Sequence, residues 1–147
     1  MIDKSFIGMT LPSSQWEVEK GRVRAFARAI GDTRPECHDE AAAQALGYPS
    51  LLAPPTLAFS AIMDARTLTD LLVRMEVPIA KILHGEQSFD YQGAIFAGDT
   101  LTLETKVSDI VDKKNGAMEF ITQLTTLTNQ NGELVGEMRT VLVVRNK

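Results

Sequence analysis

The sequence predicts an α+β fold in which long antiparallel strands wrap one apolar helix. Three observations carry this expectation. The first half of the chain is rich in Ala, Leu and Arg and the second half in Thr, Val and Leu, so helices precede strands rather than alternate with them. A stretch from Ala53 to Met75 is apolar on most sides. Two Asn-Gly pairs, Asn115-Gly116 and Asn131-Gly132, separate three long runs of strand-forming residues.

With 147 residues the chain is long enough for one domain, 1–147, with a core of its own. "WEVEKGRVRAFARAIGD" reads as a short strand followed by a helix. Val23, Phe26, Ala27 and Ile30 recur at i, i+3, i+4 and i+7, and Gly31 supplies a stop. "DEAAAQALGY" is a compact second helix, with Asp39 placed to accept backbone N–H bonds at its start and Gly47 ending it. The central helix starts at Pro54 and Pro55, where missing N–H groups do no harm. Leu57, Ala58, Ala61 and Ile62 share one face, and the helix is expected to be buried nearly all round. A break is expected near Arg66, because "TLTD" resembles a capping box.

"ILHGEQSFDYQG" is a strand candidate. Strands then follow at roughly 100–112, 117–129 and 133–145, with Leu101, Leu103 and Val107 on one side of the first. At ~3.3 Å per residue each runs to roughly 40 Å. A helix held by such a sheet describes the hot-dog fold, and its open edge is expected to pair with a second copy or a related subunit.

Composition excludes several classes of function. The net charge is -4 with the charges interspersed, so no nucleic-acid or anionic-membrane footprint is expected. No apolar run approaches the roughly 20 residues of a membrane helix, and the start lacks the pattern of a signal peptide. A single cysteine, Cys37, rules out an internal disulfide. A cytoplasmic protein is the expectation.

"GDTRPECHDEAAAQALGYPSLLAPPTL", followed by "HGEQSFDYQGAIFAGDTLTLETKVSDI", resembles the MaoC-like hot-dog dehydratases and (R)-specific enoyl-thioester hydratases. The resemblance runs from about Trp16 to the C-terminus. Catalytic members carry Gly-Asp-x-Asn-Pro-x-His-x-Asp, whose Asp and His hold a water and move its proton as it adds to, or leaves from, a C=C bond beside a thioester. A His-Gly at the start of their central helix presents a backbone N–H to the thioester oxygen. Here Asp32 matches the catalytic Asp and Pro35 the motif proline, but Arg34 replaces Asn and Cys37 stands at the His position. His38 is one residue further on, a turn of about 100° on a helix. Ala53-Pro54 replaces His-Gly, and proline has no N–H to give.

Both departures, with the "DEAAA", "APPT" and "HGEQ" wording, resemble the N-terminal, non-catalytic halves of double hot-dog dehydratases, the FAS1-like dehydratase type. The resemblance implies a subunit of a 3-hydroxyacyl-thioester dehydratase or enoyl-CoA hydratase system. This half shapes the tunnel for an acyl-CoA or acyl-carrier-protein thioester, while a catalytic hot-dog partner supplies the chemistry. A self-sufficient (R)-specific enoyl-CoA hydratase, using Asp32 and His38 as its catalytic pair, is the alternative. An acyl-CoA thioesterase is a further one, since fold alone does not fix function. Either a homodimer or a heterodimer satisfies the open edge. No cofactor and no metal are expected, because Asp32, His38 and Asp39 match no ligand spacing.

The candidate substrate-binding residues are Arg34, Ala53, Pro54, Thr56, His84 and Gly85. Arg34 would pair with a carrier phosphate at the tunnel mouth. His84 would line the tunnel or face the partner, sharing its strand face with only one of Glu86 and Gln87. Asp32 has a plainer reading as a turn residue, and Cys37 as a small buried side chain.

Overall fold

The computed structural model describes residues 1–146. Its elements run β1 (Ser14–Glu17), α1 (Lys20–Ala29), α2 (Glu40–Ala45), α3 (Ala58–Asp64), α4 (Thr67–Arg74), β2 (Ile82–Tyr91), β3 (Thr100–Lys113), β4 (Met118–Thr128) and β5 (Leu134–Arg145). The strands form one antiparallel sheet in the order β1-β3-β4-β5-β2. Helices thus precede the main run of strands, as the change in composition predicts.

The helix boundaries follow from local chemistry. Val23 and Ala27 are buried on α1, but Ile30, the fourth residue of the predicted face, caps the helix and stands half-exposed. Gly31 follows with φ +73°, a left-handed conformation that glycine adopts without strain. The Asp39 carboxylate accepts the Ala42 N–H at 2.8 Å and caps α2 as expected.

The central helix departs from its prediction in two ways. It does break at Arg66, which adopts φ +56°, but no capping box forms there. Thr67 is already the first residue of α4 and is buried, so its hydroxyl does not serve the helix start. Nor is the helix buried all round. Leu57, Ala58, Ala61 and Ile62 are buried, whereas Met63 is 52% exposed. A single sheet covers one side of a helix, and in the lone chain the other side faces out.

The three long strands fall within a residue or two of their predicted limits, and the Asn-Gly turns mark the end of β3, both ends of β4 and the start of β5. Asp112 accepts the Gly116 N–H at 2.7 Å in the first turn, and Asn129 accepts from Asn131 and Glu133 in the second. The register of β2 against β5 slips between His84 and Glu86, a bulge at Gly85. A Cβ there would sit 2.9 Å from Val143 Cγ2 and 3.1 Å from the Val141 carbonyl oxygen, so only glycine fits. The bulge turns Gln87, not Glu86, to the side of His84, whose Nε2 lies 3.3 Å from Gln87 Oε1.

Two apolar clusters hold the helices to the sheet. Leu57, Ala58, Ala61 and Ile62 pack on Leu101, Leu103, Leu127 and Met138. Leu71 and Met75 of α4 pack on Val107, Ile110, Ile121 and Leu142. Each fully buried leucine contributes about 1.5–3 kcal/mol before the entropy of ordering is counted. Trp16 pins the end of α3: its indole N–H donates to Asp64 at 2.8 Å, and Arg22, paired with the same carboxylate at 2.7 Å, lies over its ring.

Candidate functional site

The loop from Gly31 to Asp39 begins where α1 unwinds, with the Asp32 N–H donating to the Ala27 carbonyl at 2.8 Å. Arg34 precedes Pro35 and is therefore held extended, φ -61° and ψ 125°. This folds its side chain back over Asp32. Arg34 Nη2 lies 2.7 Å from Asp32 Oδ2 and Nε 3.0 Å from Oδ1, and the Arg34 backbone N–H donates to Oδ1 at 3.1 Å. These hydrogen bonds, the side-chain ones foremost, hold the Asp32 carboxyl down at about 2. The Arg34 guanidinium is correspondingly pushed above its usual range.

One turn of 3₁₀ helix, Pro35–Cys37, then carries Cys37 inward. Its Sγ lies 3.8 Å from Asp32 Oδ2, so the position matching the family's His does face the carboxylate. Burial pushes the thiol pKa up, keeping it protonated and poorly nucleophilic. His38 points elsewhere. Its Nε2 lies 2.6 Å from the backbone carbonyl oxygen of Asp32. A carbonyl only accepts, so Nε2 donates its proton there and has no lone pair left to act as a base, which leaves Nδ1 as the ring's acceptor. The His38 carbonyl in turn accepts from Arg24 Nε at 2.9 Å, fixing the loop to α1.

Asp32 has an ordinary carboxylate value near 3.8, and its lowered value in the fold stabilises the protein. That contribution is complete above about pH 4 and is lost as pH falls toward about 2. Arg34→Gln should return Asp32 toward its ordinary value. In urea denaturation the wild type should then lose more stability than the variant between about pH 5 and about pH 2.5. Equal losses in the two proteins would show that the clamp does not form in solution.

The second departure lies across a cleft from the first. A strap pairs residues 51–53 with 95–97: the Ala53 N–H donates to the Ile95 carbonyl and the Ala97 N–H to the Leu51 carbonyl, both at 2.9 Å. Ala53 thus has its one N–H engaged, and Pro54 and Pro55 have none. Thr56 is exposed in the short turn that opens the helix. Arg34, Ala53, Pro54, Tyr91 and Ile95 line one cleft of about 190 Å³. The structure therefore brings Asp32, Arg34, Cys37, Ala53 and Pro54 to one place.

Tyr91 was not among the sequence candidates. Its hydroxyl donates to the Pro55 carbonyl, and burial pushes its pKa up to about 12, so it stays a donor. The only sequence signal was an aromatic residue at a strand end. His84 and Gly85 lie apart from this cleft. His84 borders a second, larger cavity of about 370 Å³ between α3 and the sheet, where it meets the Phe59 ring edge-on at 5.4 Å. Among the described residues no cluster of His, Cys, Asp and Glu converges to hold a metal ion, and no helix is long and apolar enough to cross a membrane.

Residues 5–138 match the model of the "FAS1-like, dehydratase domain region" family. The chain belongs to this family of MaoC-like hot-dog dehydratases. A UPF0336 protein of Streptomyces griseus is 33% identical over 145 residues, covering 98% of this chain and 95% of its own. A UPF0336 protein of Saccharopolyspora erythraea is 35% identical over the same length, covering 98% and 92%. Among solved structures, a chain of the C-terminally truncated HadBC (3R-hydroxyacyl-ACP dehydratase) complex of Mycobacterium tuberculosis superposes with a TM-score of 0.79 at 30% identity, covering 94% of this chain and 96% of that one. A MaoC-like dehydratase superposes with a TM-score of 0.82 at 28% identity, and there the match takes in 96% of this chain but 42% of the other. The hot-dog fold expected from the apolar helix and the Asn-Gly turns is the fold of these family members.

Proposed function

We propose that this chain is the acyl-binding half of a 3-hydroxyacyl-thioester dehydratase, completed by a catalytic hot-dog subunit. The observation that carries the proposal is the start of the central helix. Where the family presents a backbone N–H to the thioester oxygen, this chain has Pro54, and the neighbouring Ala53 N–H is already bonded to Ile95. The loop supports the same reading. A carboxylate clamped by Arg34 at about 2 is a poor proton acceptor near neutral pH. His38 would have to leave the Asp32 carbonyl before its Nε2 could serve as a base.

The similarity to a chain of the HadBC complex, and to less than half of a longer MaoC-like dehydratase, supports a paired assembly. In that assembly residues 1–147 act as one hot-dog domain, and the open face around Met63 and the sheet edge meet the partner. The substrate is an acyl-CoA or acyl-carrier-protein thioester, with the cleft at Arg34 and Pro54 near its head and the apolar cavity along its chain.

Asp32 is the residue on which the two hydratase readings diverge most cleanly. In the assembled enzyme, Asp32→Asn should change kcat/KM for enoyl-CoA hydration by less than about twofold. A self-sufficient enzyme would lose roughly 10²–10⁴. A loss of that size, with the assembly intact by gel filtration, would overturn the proposal.

A further inference from the structure

The cavity between α3 and the sheet has mostly apolar walls, among them Phe59, Ile62, Met63, Ile82 and Leu142, and its volume of about 370 Å³ suits a small-molecule chain. One polar side chain in it is out of place. Gln123 of β4 borders the cavity and is 4% exposed, and its Nε2 has no hydrogen-bond partner among the described residues. The other polar groups around it are paired. Thr140, directly across the sheet from Gln123, donates to Gln87 Oε1 at 2.7 Å. His84 reaches the same oxygen at 3.3 Å, and the buried Thr125 hydroxyl bonds Thr105 at 2.8 Å.

Ile121, Gln123, Thr125 and Leu127 alternate onto one side of β4, and Ile121 and Leu127 belong to the two apolar clusters. A leucine or methionine would fill position 123 without stranding a buried amide, which folded proteins avoid. The two ends of a glutamine amide are nearly the same shape, so a half-turn about the last side-chain bond presents the N–H to the cavity.

We infer that Gln123 is a specificity-determining residue whose amide donates to an oxygen carried along the acyl chain, a keto or hydroxyl group. The cavity then selects oxygen-bearing acyl thioesters over plain ones of the same length. This rests on the acyl-binding reading above. It adds that the chain must be functionalised at one distance from the thioester.

Calorimetric titration of the full chain tests this with dodecanoyl-CoA and a series of keto-dodecanoyl-CoA isomers in which the oxygen steps along the chain. One isomer, or two adjacent ones, should bind about tenfold more tightly than dodecanoyl-CoA. Isomers with the oxygen elsewhere should bind more weakly, because it is then buried against apolar walls. Gln123→Leu should abolish the optimum and bind dodecanoyl-CoA at least as well as the wild type. The positional optimum is read on the wild type and does not depend on the variant folding. If dodecanoyl-CoA binds but every keto isomer binds more weakly, the inference is overturned and the acyl-binding reading stands, the amide then being served by water or by a partner side chain. An optimum that survives in a folded Gln123→Leu protein also overturns it. If no acyl-CoA binds, both fall together.

Discussion

Purified alone, the chain should hydrate crotonyl-CoA on the order of 10⁴-fold more slowly than the assembly it forms with a hot-dog subunit carrying the complete Asp-His and His-Gly motifs. Two absences combine in this figure. An oxyanion donor is worth about 10²–10³ in rate, and the helix start offers none at Pro54. A positioned acid and base contribute about 10²–10⁴ more, and here the carboxylate is held by Arg34 while the imidazole N–H is held by a carbonyl. The terms belong to one machine and are not multiplied in full. The measurement is the loss of enoyl absorbance with the chain alone, with the partner alone and with the two mixed. Activity only in the mixture is the expected result. Hydration by the lone chain at the rate of the mixture would sink the paired reading.

Leu101→Ala should remove about 2–5 kcal/mol from folding stability. Leu101 is fully buried, stands opposite Trp16 in the β1–β3 register and packs in the cluster that seats α3 on the sheet. Strands pinned on both sides cannot close the space a leucine leaves. At about 3 °C per kcal/mol for a chain of this size, Tm should fall by about 6–15 °C. Urea unfolding at one protein concentration is the check, with the midpoint shifted and the slope unchanged. Val73→Ala on α4 is the control. Val73 is 71% exposed, and its loss should stay within about 0.5 kcal/mol.

The sheet was legible because its punctuation is local. An Asn-Gly pair turns a strand wherever it stands, so the end of β3, both ends of β4 and the start of β5 could be read from Asn115 and Asn131. The central helix was legible as apolar, but the Ala53–Met75 stretch does not say how many of its sides one sheet will cover, and Met63 lies outside that cover. At the site, Pro54 could be read without a structure, since a missing N–H is missing in every conformation. The clamp between Arg34 and Asp32 could not. It depends on an extended backbone before Pro35 and on a long side chain choosing its nearest carboxylate over solvent. The direction of His38 was likewise beyond reach, because it follows from where a single 3₁₀ turn ends. Gln123 sits in a run, "ITQLTTLT", whose alternation shows which residues share a side but not which side is dry.

The bulge at Gly85 has an electrostatic consequence. Without it, β2 would keep strict alternation and Glu86 would take the position beside Thr140 that Gln87 now holds. A carboxylate would then stand beside His84 and Thr140, two side chains that line the cavity, where an ion is costly to desolvate. As it stands, Glu86 points the other way and pairs with Arg139 at 3.1 Å. A single residue without a side chain decides whether the group bonded to Thr140 at the cavity wall is a neutral amide or a carboxylate.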